Sequence, residues 1–178
     1  SCSLVGSEMC IRDRFIGGKN KNRHKDKKVE KCQGRSYKDK VPVFGMLERG
    51  GKVVAKVVPN IHGDTLLSIV NEHVEKGSVV YTDGAGYPGI NIDYEQRDVD
   101  HSKHFYGTTY VTDEGEIIVV STNGIENVWS HFDRMMLGTY IRVSRKHLQK
   151  YVDEFTFRFN TRNFTDSQRF NLLLRNIA

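Results

Sequence analysis

A mixed α/β fold is what the order of elements predicts, and three features carry it. Two β-rich runs, 41–48 and 52–58, flank the turn Arg49-Gly-Gly51, and a helical stretch follows them. The short run Ser78-Val-Val-Tyr-Thr-Asp83 then returns as a buried strand ending in an acid. A strand, helix, strand order of this kind builds a sheet with helices against it.

The hairpin follows from β-branched residues on both sides of a glycine pair. The helix comes next because Leu66, Leu67, Ile69, Val70 and Val74 recur at helical spacing, with Asp64 as its expected cap and Gly77 as its stop. Gly84-Ala-Gly86 breaks the strand after Asp83. Residues 92–102 read as irregular, with Tyr94 and Val99 as the buried points, and 108–120 reads as a second hairpin around Asp113-Glu-Gly115. Thr122 or Asn123 caps a helix running to about Leu137, which Gly138 interrupts. Ser144 caps another from Arg145 to about Thr161, with Leu148, Tyr151, Val152, Phe155 and Phe159 as one apolar stripe.

Composition bounds the function. A chain of 178 residues, 38% hydrophobic and 28% charged, is enough for one domain with a core. Its longest aliphatic run, Ile117 to Val120, is far short of the roughly 20 residues of a spanning helix, so no membrane role is expected. Net charge is +5, yet 19–40 alone holds ten Lys/Arg against three acids, a local +7 that leaves the remainder at −2. Such a segment suits phosphates as well as it suits a solvated loop. Cys2, Cys10 and Cys32 have no metal-ligand spacing and are odd in number, which fits a reducing cytoplasm. Ser1 to Arg14 lacks the charged and apolar regions of a secretory signal.

Asp83 is the best single acid, because open α/β sheets place ligands at the carboxyl ends of strands and the neighbouring glycines admit close approach. A turn aspartate capping Gly84 is the alternative. Glu126 falls in the first turn of its helix, three residues after Asn123, where it suits either the same site or a capping box. Trp129 and Asp133 share its face. His101 and His104, with Lys103 between them, suit a metal or a phosphate.

Taken together, Phe15-Ile-Gly-Gly-Lys19, Tyr81-Thr-Asp-Gly84, Val99-Asp-His-Ser-Lys103, Thr122-Asn-Gly-Ile-Glu-Asn-Val-Trp129, Arg134, Gly138-Thr-Tyr140, Lys146-His-Leu148 and Glu154-Phe-Thr-Phe-Arg-Phe-Asn-Thr-Arg162 form an ordered set. It resembles the catalytic domain of bacterial insertion-sequence transposases of the ISXO type, from Phe15 to the C-terminus. The resemblance implies an RNase H-like fold of the DDE transposase/integrase superfamily: a five-stranded mixed sheet whose acids converge on divalent metal. It implies Asp83 with Glu126 or Asn123 as catalytic and metal-binding residues, and Mg²⁺ or Mn²⁺, two ions, as cofactor. Hard ions want oxygen ligands, and two of them clamp both oxygens of an in-line phosphodiester displacement. The implied activity is hydrolysis and strand transfer in DNA transposition and recombination, in the bacterial cytoplasm. Its partners are element ends and target DNA, with a homo-oligomer as the active complex. Lys19, Lys21, Arg23, Lys25, Lys27, Lys28, His101, Lys103, Arg134 and Lys146 are the expected DNA-binding residues.

Three departures qualify this. In the family, Asp-Glu-Thr precedes Phe-Ile-Gly-Gly and its Asp is the first acid; here Arg12-Asp13-Arg14 stands there. Residues 1–14 look foreign, like translated sequencing-adapter sequence, which points to a truncated reading frame and leaves 15–178 as the domain, with 19–40 as a basic loop. If Met9-Cys-Ile11 takes the first-strand position, Arg12 replaces the acid and Asp13 faces away. Asp133 stands where the family has Lys, and no zinc-ribbon or helix-turn-helix region precedes the domain. The expectation is a transposase catalytic domain inactive as it stands. The alternatives are a non-catalytic nucleic-acid-binding remnant or an RNase H-like nuclease acting on RNA.

Overall fold

Alternation along one central strand organises the protein. The computed structural model describes residues 8–17, 24–28, 40–83, 87, 89–99, 108–111, 115, 117–140 and 143–175. Strand β1 (Glu8–Ile16) includes Glu8 to Arg14, part of the segment that looked foreign. It sends Met9 and Ile11 to one side of the sheet and Cys10 to the other.

The sheet has five strands in the order β3-β2-β1-β4-β5. β2 (Val41–Glu48) pairs antiparallel with β1 and with β3 (Val53–Val57), as the hairpin predicted. β4 (Val79–Thr82) lies parallel to β1 and to β5 (Glu95–Asp98). Helix α1 (Gly63–His73) connects β3 to β4, and a single turn, α2 (Ile90–Asp93), precedes β5. A separate hairpin joins β6 (Thr108–Val111) to β7 (Ile117–Val120). Then come α3 (Asn123–Met135), α4 (Leu148–Asn160) and α5 (Asp166–Arg175).

Two cores result, one on each face. Met9, Ile11, Phe44, Met46 and Val80 pack against Leu66 and Val70 of α1 and Ile90 of α2. Cys10, Val43, Leu47, Val53 and Tyr81 pack against Ile125, Val128, Trp129 and Phe132 of α3 and Leu148, Val152 and Phe155 of α4. The α3 positions recur at the i, i+3, i+4, i+7 spacing that makes one apolar stripe.

Several boundaries differ from expectation. Asp64 does not cap α1; His62 holds the cap position and Asp64 lies in the first turn. The irregular stretch at 92–102 contains α2 and β5, although Tyr94 and Val99 are buried as expected. Gly138 does not stop α3, which widens into a π turn over Met136–Tyr140. The helix from Arg145 opens as a 3₁₀ turn, Arg145–His147, without a side-chain cap from Ser144.

The free edge of β3 is covered by side chains of α4. Asn160 Oδ1 accepts from the Val53 N–H at 2.7 Å and its Nδ2 donates to the Val53 carbonyl at 2.9 Å. Gln149 Oε1 accepts from the Val57 N–H at 2.7 Å. These amides stand in for a sixth strand, which satisfies backbone groups that would otherwise template aggregation.

Candidate active site

The site lies at the carboxyl end of β4, beside the middle of β1 and under the start of α3. Continuing the parallel register of Cys10 with Tyr81 by two residues sets Arg12 level with Asp83. Both have the parity of Cys10 and Tyr81, so both face α3.

Asp83 follows Thr82 immediately, and its side chain is 8% exposed. Its Oδ2 lies 3.4 Å from Arg12 Nε. Its Oδ1 is buried and has no hydrogen-bond partner among the described residues. Glu126 reaches the same guanidinium from α3, pairing through Oε1 with Arg12 Nη1. Arg12 therefore joins acids from β4 and α3. Asn123 begins α3 one turn earlier and is exposed, its N–H donating to Ser121 Oγ at 3.1 Å.

Two further features shape this face. Arg14, next on the same side of β1, pairs with Asp133 of α3. Nothing local in the sequence pairs the two; the one signal is a cation at 14 together with an acid at 133. Gly45, the cross-strand neighbour of Arg12, lets the sheet meet Trp129: a Cβ there would lie 2.4 Å from Trp129 Cζ2. Only the smallest residue admits that approach.

Asp13 turns to the other face. It is 6% exposed and accepts a hydrogen bond from Tyr87 Oη at 3.1 Å. Burial raises the Tyr87 pKa, and the negative charges of Asp13 and Asp83 raise it further.

Of the expected DNA-binding residues, Lys25, Lys28, Arg134 and Lys146 are exposed, and Lys27 lies in the short 3₁₀ helix Lys25–Lys27. Lys19, Lys21, Arg23, His101 and Lys103 lie outside the described residues. A groove of about 430 Å³ between α3 and α4, lined by His131, Met135, Tyr140, Phe155, Arg158 and Phe159 among others, contains none of the acids above.

The family model of the ISXO2-like transposase domain matches residues 5–160. The chain belongs to that family. The match begins inside the segment that looked foreign, and the five-stranded mixed sheet with its flanking helices is the RNase H-like transposase fold. This transposase domain is also 34% identical, over 112 residues, to an uncharacterized transposase-like protein of Haemophilus influenzae, covering 61% of this chain and 81% of that protein. No solved structure matches it. No helix among the described residues is long and apolar enough to cross a membrane.

The side chains present do not fit the two-ion centre that the resemblance implies. The space between Asp83 and Glu126 is taken by a guanidinium, which repels cations and offers no lone pair. Among the described residues, no three His, Cys, Asp or Glu side chains group closely enough to hold an ion.

Proposed function

We propose that this transposase domain is built on the scaffold for DNA phosphodiester hydrolysis and strand transfer, and that the chain with Arg12 does not perform the transfer. One observation carries both halves: Asp83 and Glu126, 43 residues apart in sequence, meet at one guanidinium beside the carboxyl end of β4. The convergence supports the transposase reading. The guanidinium supports the second reading, a non-catalytic DNA-binding remnant, because the site holds a fixed cation where the reaction needs oxygen ligands and a replaceable one.

The remaining roles follow from charge. The basic segment at 19–40, with Arg134 and Lys146, would bind phosphates of element ends and target DNA through counterion release. Asn123 would line the rim of the site, and synapsis of two ends would call for a homo-oligomer in the bacterial cytoplasm.

The test is a strand-transfer assay on the full chain fused to an end-binding domain of the same family, with matching element ends and Mg²⁺ or Mn²⁺. Arg12→Asp should cleave and join, and the unaltered chain should do neither. Transfer by the unaltered chain would overturn the inactivity, whereas DNA binding without cleavage by either protein would favour the remnant.

A further inference from the structure

We infer that the Arg12 guanidinium is the resident cation of this site, holding its acids together in place of a divalent ion, so that the fold closes here without metal. The inference rests on the family reading above, which supplies the expectation of an ion.

The burial of Asp83 is the first reason. A carboxylate 8% exposed needs a nearby counter-charge, since desolvation of an unpaired charge is costly. Arg12 supplies that charge through Nε and reaches Glu126 through Nη1. A planar fork can serve two acids on different sides, which the single ammonium of lysine does less well.

The second reason is that the next position on the same face is paired in the same way. Two residues along β1, Arg14 repeats the arrangement with Asp133, seven residues after Glu126 on α3. β1 and α3 are thus fastened at two points by charges supplied wholly by the protein.

The third is that Asp83 Oδ1 is buried with no hydrogen-bond partner among the described residues. Take away the guanidinium, and Asp83 Oδ2 and Glu126 Oε1 are left facing the space it filled. Repulsion then destabilises the chain, and a hard divalent ion gains a set of oxygen ligands.

The experiment is thermal denaturation of the full chain in EDTA and across a MnCl₂ titration, with Mn²⁺ binding read separately by electron paramagnetic resonance. The unaltered chain should melt at the same temperature throughout and bind no Mn²⁺ at Asp83 and Glu126. Arg12→Ala should melt lower in EDTA and rise by about 5–10 °C when Mn²⁺ reaches about a hundred times its dissociation constant. Adding Glu126→Gln to Arg12→Ala should restore part of the melting temperature in EDTA and abolish the Mn²⁺ response. If Arg12→Ala does not fold in EDTA, refolding on addition of Mn²⁺ supports the inference and failure to refold overturns it. Mn²⁺ stabilisation of the unaltered chain, lost in Glu126→Gln, would also overturn it. None of these readouts needs catalysis, so they separate from the strand-transfer test: transfer by the unaltered chain sinks the proposed inactivity, while the melting curves and Mn²⁺ binding decide the cation.

Discussion

The two faces of the sheet treat adjacent side chains of β1 in opposite ways. On the α1 face Asp13 is buried and takes a hydrogen bond from Tyr87 beside Phe44, whose ring meets that of Tyr87 edge-on at 6.1 Å. On the α3 face Arg12, 29% exposed, meets two acids from other elements. The first arrangement is closed and serves packing. The second is open because the end of β4 and the start of α3 bring Asp83 and Glu126 to mid-strand Arg12 without covering it. Which residue type falls on which face therefore decides whether this strand contributes structure or chemistry.

The largest expected effect comes from removing the support of α3. Phe132 is fully buried and stacks edge-on with Phe155 at 5.1 Å and Trp129 at 6.0 Å. Phe132→Ala should cost about 3–5 kcal/mol in urea denaturation and should speed hydrogen exchange in α3 before α1. Phe44→Ala, on the other face, should cost a similar amount with the order of exchange reversed. Equal exchange in both helices for both variants would erase the distinction between the faces.

Gly45→Ala is the next sharpest test, because its effect should be confined to the α3 face. The new methyl must displace Trp129, at a cost of about 1–3 kcal/mol. Trp129 is the sole tryptophan, so its emission reports the displacement directly. An unchanged spectrum with an unchanged midpoint would show that the ring is not seated on Gly45.

Tyr87→Phe probes the closed face with a smaller change. It removes the hydroxyl that donates to Asp13, and about 1–2 kcal/mol should be lost in urea denaturation at neutral pH. Trp129 emission should stay where it is; a shift would mean that the faces are coupled through the strand.

The smallest effect at neutral pH lies in alkali. Burial pushes the Cys10 thiol up to about 11 from 9.0, and burial with the Glu8 hydrogen bond pushes Tyr81 up to about 12 from 10.0. In each case the folded state holds the proton more tightly. The associated stability is therefore complete below the unfolded value and is lost as pH rises through the folded one. Denaturation midpoints should fall above about pH 9, and Tyr81→Phe should flatten the part of that decline between 10.0 and about 12. In a Cys2→Ser, Cys32→Ser background, alkylation of Cys10 at about pH 8 should be negligible until the chain unfolds.

Much of this architecture is legible in the chain because periodic burial writes itself into sequence. The 41–58 hairpin, the α1 stripe, the strand before Asp83 and the α3 and α4 stripes all match runs of apolar residues at spacing 2 or 3.6. β5 was missed for the converse reason. Glu95-Gln-Arg-Asp98 has no apolar residue, and it is a strand because β4 offers it a free parallel edge. The interruption expected at Gly138 failed because a glycine in a helix costs only about 1 kcal/mol, and the turn is anchored at its ends by Met136, packed against the α3 core, and Tyr140, whose ring meets that of Tyr151 at 4.6 Å.

What the sequence by itself determined is the local alternation: the parity that separates Arg12 from Asp13, the acid at the end of β4 and the acid in the first turn of α3. Each is set by neighbours within a few residues. Only the tertiary structure decided that Arg12 meets Asp83 and Glu126, that Arg14 meets Asp133, and that Gly45 gives way to Trp129. These pairs join positions far apart in the chain. They exist because strand register and helix docking, driven by burial on two faces at once, bring together charges whose mutual attraction in water is too weak to have done so.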